Sequence, residues 1–300
     1  MRSDPRGIWV HDSIDGIGVE GSRRMTRPAS IYSLRDKGLS GPNVGIYAWP
    51  GQGKTGLFAD ADKSLLIMDS DIYGTDTALA LGADCDAAQV SGYSELEDIY
   101  QYLRNDEHPY KAVAWDSVTL FQDRTLIDEI LQDAHMANPN KQSPDVPSMR
   151  EYLVSQSRIG RYFRQFCELP IVFVPTFHVM AIETPDGETM WAPLLQGKDG
   201  EFATKISGYL NVLGHFYKRT EGDGDSKKVT RYLKFVGDHQ HVAKDRLNAM
   251  PAVMKDPTIG KILNRIEVKR AEFQATPSPP AAKRVAKKAG ALRSVPVSTK

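Results

Sequence analysis

From Asn43 onward, short apolar runs rich in β-branched residues alternate with segments whose apolar positions recur at helical spacing. Val44–Ala48, Ser64–Asp69, Lys111–Asp116 and Ile171–Thr176 are nearly unbroken apolar runs, as expected of strands buried on both faces. A Gly-rich turn follows the first run and leads into a short helix from about Lys54. Ser94-Glu95-Leu96-Glu97 has capping-box spacing and predicts a helix to about Asn105. Leu120–Ala137 predicts the next helix, and polar Asn138–Pro147 a loop. A second capping box, Ser148-Met149-Arg150-Glu151, opens a helix to about Cys167. Strands alternating with helices predict a parallel sheet covered on its faces. The pattern then changes. Val179–Glu183 and Thr189–Pro193 flank Pro185-Asp186-Gly187, and Leu210–Arg219 and Val229–Val236 flank Gly222-Asp223-Gly224-Asp225. Both are hairpin signals. The expected fold class is α/β: a mostly parallel central sheet extended by antiparallel hairpins, with a last helix around Thr258–Arg270.

Composition narrows the class without changing this picture. The chain has 300 residues, 41% hydrophobic and 25% charged, which suits a globular protein with one large domain and appendages or with two small domains. The strongest apolar stretch, Ile171–Val174, falls far short of the roughly 20 residues that span a bilayer. The first residues lack the apolar segment of a signal peptide. Cys85 and Cys167 offer no disulfide framework. A cytoplasmic location with no membrane partner is the expectation. The zero net charge hides an asymmetry, because residues 276–300 carry six basic and no acidic side chains. Three segments are expected: a poorly ordered extension over 1–29, a folded domain over 30–270, and a disordered basic tail over 271–300. Such a tail reads either as a non-specific nucleic-acid tether or as a solubilising appendage.

The chemistry concentrates at Ala48-Trp49-Pro50-Gly51-Gln52-Gly53-Lys54-Thr55. This matches the phosphate-binding loop G-x-x-x-x-G-K-[ST], with Ala48 in place of the first glycine. Gly51 and Gly53 supply a permissive backbone, Pro50 is part of the same turn, and the N–H groups of Gly51–Gly56 can wrap phosphates. Lys54 supplies charge to the β- and γ-phosphates, and Thr55 a hydroxyl ligand for Mg²⁺. The loop lies between an apolar strand and a helical pattern, the setting the motif requires. Asp116, ending the strand Ala112-Val113-Ala114-Trp115, stands where a second Mg²⁺ carboxylate belongs. Hydrolysis also needs a group to orient or deprotonate water. Asp69 and Asp71 end a neighbouring strand, and either is a candidate. Thr176 and His178 would reach the same rim as γ-phosphate sensors, or form an ordinary hydrogen-bonded strand end. His239 and His241 have no Cys/His partners at zinc-site spacing. Lys244-Asp245-Arg246 is a solvated run unless its cations reach phosphate in a neighbouring subunit.

Taken together, Ala48–Thr55, Leu66-Ile67-Met68-Asp69-Ser70-Asp71, Trp115-Asp116-Ser117, Pro175-Thr176-Phe177-His178, Ala192–Lys198 and Val242-Ala243-Lys244-Asp245-Arg246 resemble bacteriophage AAA-family, RecA-like P-loop ATPases. The single-strand-annealing recombination proteins are the group resembled, over about Ser30 to Arg270. The resemblance implies a RecA-like core that uses ATP and Mg²⁺ and hydrolyses ATP under stimulation by DNA. It further implies single-stranded DNA as partner, a homo-oligomeric ring or filament, a companion single-strand-binding protein, and residence in the bacterial host cytoplasm. It places Asp71 where the family carries a catalytic Glu, Lys244 and Arg246 as ATP contacts across a subunit interface, and Gln196–Thr204 as a DNA-facing loop. Asn211 stands where many relatives have Asp. Two other readings compete: a helicase or packaging-type motor, and a nucleotide-gated interaction protein with little turnover. A small-molecule kinase fits less well, because no Arg-rich lid follows the core.

Overall fold

Each long apolar run is a strand whose alternate side chains enter two separate cores. In β4 (Ala112–Asp116), Val113 and Trp115 join one core, and Ala112 and Ala114 join the other. In β5 (Val172–Phe177), Phe173 and Phe177 divide from Val172 and Val174 in the same way. Period-two geometry with both faces covered explains why these runs are apolar throughout. The computed structural model describes residues 41–71, 73–140, 143–183, 186–222 and 227–275. The expected N-terminal extension over 1–29, the start of the domain at 30–40, turn residues Pro185, Asp223, Gly224 and Asp225, and the tail from 276 lie outside them.

Among the described residues nine strands form one sheet. β1 (Val44–Tyr47) lies between β5 and β8 (Val212–Glu221), parallel to both. Beyond β5 follow β4, β2 (Leu65–Asp69) and β3 (Asp86–Gln89), all parallel. On the far side β9 (Lys228–Lys234) runs antiparallel to β8, and β11 (Val253–Lys255) antiparallel to β9. The two-residue β10 (Lys244–Asp245) pairs with the beginning of β8. This is an α/β fold with a mostly parallel sheet and an antiparallel extension, consistent with a P-loop NTPase core. One hairpin departs from expectation. β6 (Val179–Glu183) and β7 (Thr189–Pro193) form a separate two-stranded sheet, with one isolated bridge from Trp191 to His241.

The helices show further differences. α1 (Gly74–Ala80) follows β2, and α2 (Tyr93–Asn105) follows β3. The capping box expected at Ser94 does not form, because α2 begins earlier, with Gly92 as its N-cap. Glu129 from the next helix instead accepts the Tyr93 N–H at 2.9 Å. That helix, α3 (Val118–Thr125), passes through a π-helical turn, Leu126–Leu131, into α4 (Gln132–Ala137). α5 (Met149–Cys167) does carry its capping box, with the Ser148 N–H donating to Glu151 at 2.8 Å. α6 (Glu201–Tyr209) was not anticipated, and α7 (Ile259–Ala275) runs five residues into the segment expected to be a tail. α2, α3, α5 and α6 cover one sheet face around Trp115, Phe163 and Phe166, and α7 covers the other through Ile259, Ile262 and Ile266. Among the described residues no helix is long and apolar enough to cross a membrane.

Candidate nucleotide-binding site

The Gly-rich loop leaves the carboxyl end of β1, beside the carboxyl ends of β5 and β4, where ligands of parallel sheets bind. Ala48 is tolerated in the first-glycine position because it continues the strand: its N–H donates to the Phe177 carbonyl at 3.2 Å. Gly51 and Gly53 adopt φ of +74° and +94°, which residues bearing a Cβ rarely adopt, so the glycines are needed there. The segment that follows is a six-residue 3-10 helix, Thr55–Asp60, and not the α-helix the motif suggests. So short an element contributes little dipole. Beyond the loop's own N–H groups, positive charge here comes from side chains.

Lys54 is that first charge, only 8% exposed. Burial pulls its pKa down, while the Asp116 and Asp71 carboxylates pull it back up. With two carboxylates acting on one ammonium, an anion entering here needs further cations beside it, such as a metal ion or the other basic side chains of the cleft. Asp116 is the hinge of the site. It accepts from the Thr55 hydroxyl at 2.9 Å on one oxygen and from the Thr176 hydroxyl at 2.5 Å on the other. The Asp116–Ser117 peptide is cis. Thr55 and Asp116 thus present a hydroxyl and a carboxylate together, the hard oxygen donors a Mg²⁺ ion takes. These residues fit the ion; bound there with a triphosphate, it would neutralise developing phosphate charge.

The two aspartates after β2 separate in role. Asp69 is 3% exposed and accepts the backbone N–H groups of Asp71 and Thr75, each at 2.9 Å, so it organises the entry to α1. Burial raises its pKa against those donors. Asp71 instead lines the cleft with Lys54, Thr55 and Asp116. His178 lines it too, its pKa pushed down to about 4 by burial and then by the Lys54 ammonium, with Asp71 opposing. The His178 N–H donates to Thr119 Oγ1 at 3.1 Å, and that hydroxyl donates to the Leu194 carbonyl at 2.7 Å.

Other candidates are not brought here. Lys244 and Arg246 sit at the start of β8, opposite the end that meets the loop, with Lys244 in register with Leu213. Their donors hold the end of α6, at the carbonyls of Ser207 (2.5 Å) and Gly208 (3.3 Å). Asp245 between them accepts three backbone N–H groups, from Leu247, Ala249 and Met250. Asn211 accepts the Asn43 N–H at 2.9 Å, tying β8 to β1. His241 stacks on His215 with ring centroids 4.3 Å apart and pairs with Asp238. Gln196–Thr204 is only partly loop: a 3-10 turn, Lys198–Gly200, leads straight into α6.

Residues 40–247 match the family model of an AAA domain. The chain belongs to the AAA domain family. No curated protein matches it. AAA-type P-loop ATPases bind nucleotide generally, and the cleft around the loop, about 570 Å³ in volume, is the candidate site. This AAA domain also brings two cations that the sequence reading did not single out. Lys218 on β8 and Arg231 on β9 line the cleft above the loop, and Lys218 Nζ donates to the Gly51 carbonyl at 2.8 Å. The available signal was weak: both occupy strand positions sharing a face with apolar Phe216 and Leu233, where a charge implies a specific destination.

Proposed function

We propose that this AAA-type ATPase hydrolyses ATP with Mg²⁺ and couples the cycle to single-stranded DNA as a homo-oligomeric ring or filament. Strand annealing in bacteriophage-type recombination, beside a single-strand-binding protein, is the biological role. The observation that carries the reading is the convergence of Lys54, Thr55 and Asp116, with Thr55 and Asp116 hydrogen-bonded at 2.9 Å. Loop amides and Lys54 bind the phosphates, Thr55 and Asp116 hold the metal, and Thr176 and His178 sense the terminal phosphate. Asp71 orients the attacking water from the cleft wall. The chain His178, Thr119, Leu194 supports coupling to DNA, because Thr119 contacts both the nucleotide rim and the segment before α6, which Gln122 of the same helix also holds at Gln196.

Lys244 and Arg246, on the far end of β8, would act only on a second copy's nucleotide. Measuring turnover with and without single-stranded DNA, alongside sizing, tests the whole reading. The expected result is DNA-stimulated hydrolysis by an oligomer. Stimulation with duplex unwinding would favour a motor. Binding of ATP with negligible turnover would favour a nucleotide-gated interaction protein, a reading supported by the short reach of Asp71.

A further inference from the structure

We propose that Lys218 and Arg231 clamp the triphosphate from the open side of the phosphate loop, so that the chain carries its own cationic finger. The proposal rests on the nucleotide reading above and deepens it. The two residues are directly paired across β8 and β9. Two cations in that relationship repel and destabilise a hairpin unless an anion lies between or beside them. Among the described residues, neither forms an ion pair with a carboxylate. Their positions are nonetheless firmly set, since Phe216 and Leu233 of the same hairpin are fully buried in the core beneath.

Both side chains reach the loop itself. Lys218 donates to the Gly51 carbonyl, using one of the three donors an ammonium offers. A Cβ built on Gly53 would stand 3.6 Å from Arg231 Nε and 3.8 Å from Lys218 Cε. One on Gly56 would stand 3.4 Å from Arg231 Nη1. The guanidinium therefore lies over the stretch that carries Lys54 and Thr55, where its forked donors suit phosphate oxygens. Because the 3-10 helix after the loop is short, these two charges and Lys54 replace the field a long helix would provide. Lys244 and Arg246, tied to α6, are not needed for that purpose.

The test is nucleotide affinity and basal turnover of the full chain, with Mg²⁺ and a fluorescent ATP analogue and its ADP counterpart as probes. Lys218→Met and Arg231→Gln should each weaken ATP at least tenfold, weaken ADP less, and lower turnover, while thermal melting without nucleotide stays near that of the parent. Lys218→Arg should restore most of the affinity, which a purely structural role for the lysine would not require. ATP affinity within twofold of the parent in both charge-removing variants would overturn the proposal while leaving the nucleotide site intact. Failure of the parent chain itself to bind either probe would overturn the nucleotide reading and this proposal together.

Discussion

Gln122 and Gln196 exchange two hydrogen bonds: the Gln196 N–H donates to Gln122 Oε1 at 2.8 Å, and Gln122 Nε2 donates to the Gln196 carbonyl at 3.2 Å. Gln122 is 1% exposed, and the helix that bears it starts one residue after Ser117, beside Asp116. A shift of that helix on nucleotide binding would be carried directly to the segment leading into α6. If the proposed coupling to single-stranded DNA holds, Gln122→Leu should keep basal ATP hydrolysis and lose the stimulation by DNA. Parallel turnover assays with and without DNA check this; retained stimulation would sever the link between the two segments.

Lys54→Ala should reduce ATP affinity by about 10- to 150-fold, the equivalent of one charged hydrogen bond of roughly 1.5–3 kcal/mol. The fold should survive. The substitution removes a buried charge, so melting without nucleotide should not fall. Equilibrium binding and circular dichroism on the same sample decide the matter.

Thr176→Val would leave one oxygen of Asp116 without its hydroxyl donor in a fully buried setting. A loss of about 1–3 kcal/mol in unfolding free energy is expected, because an unpaired buried acceptor carries its full desolvation cost. Turnover should fall as well, since Asp116 is no longer held on both sides. Denaturant titration and an ATPase assay measure the two effects separately.

Much of this was legible in the residues. The buried strands and the capping box at Ser148 follow from local pattern, because period-two burial and a Ser-x-x-Glu cap are written within a few positions. The phosphate loop was legible for the same reason: Gly51 and Gly53 sit where only positive φ works. What stayed hidden depends on partners distant in sequence. The N–H of Tyr93 at the start of α2 is satisfied by Glu129, which arrives from a π-helical turn 36 residues later. Lys218 and Arg231 meet the loop only through the register of β8 with β1 and β9. The run Lys244-Asp245-Arg246 drew attention as a motif, yet its in-chain partners are the carbonyls ending α6.

Acidification should unfold the domain partly through its buried histidines. His215, only 7% exposed, is pushed down to about 4 by burial, then by His241 and Lys234, with Asp238 opposing. Between its ordinary value of 6.5 and about 4, the unfolded chain takes up a proton that the folded chain refuses. This contribution is therefore complete above 6.5 and is lost as pH falls through that window. His178 shifts in the same direction. His215→Phe should make the melting temperature less dependent on pH across the window, and equal slopes for the two proteins would count against it.

Gly92→Ala should destabilise the domain, because the new Cβ would stand 2.0 Å from Glu129 Oε1 and displace the cap of α2. Loss of that cap costs about 0.5–2 kcal/mol, with steric strain in addition. Glu129→Ala should remove only the cap, so the double variant Gly92→Ala/Glu129→Ala should recover part of the loss. A double-mutant cycle by chemical denaturation resolves the coupling.

The six-residue 3-10 turn after the loop has a consequence for how this protein can change over evolutionary time. Attraction for an anion that arises from the axis of a long helix is spread over the main chain, and no single codon can adjust it. In the clamp proposed above, the attraction is divided among side chains on separate segments. One replacement at a time can therefore retune grip and release while the scaffold beneath stays as it is.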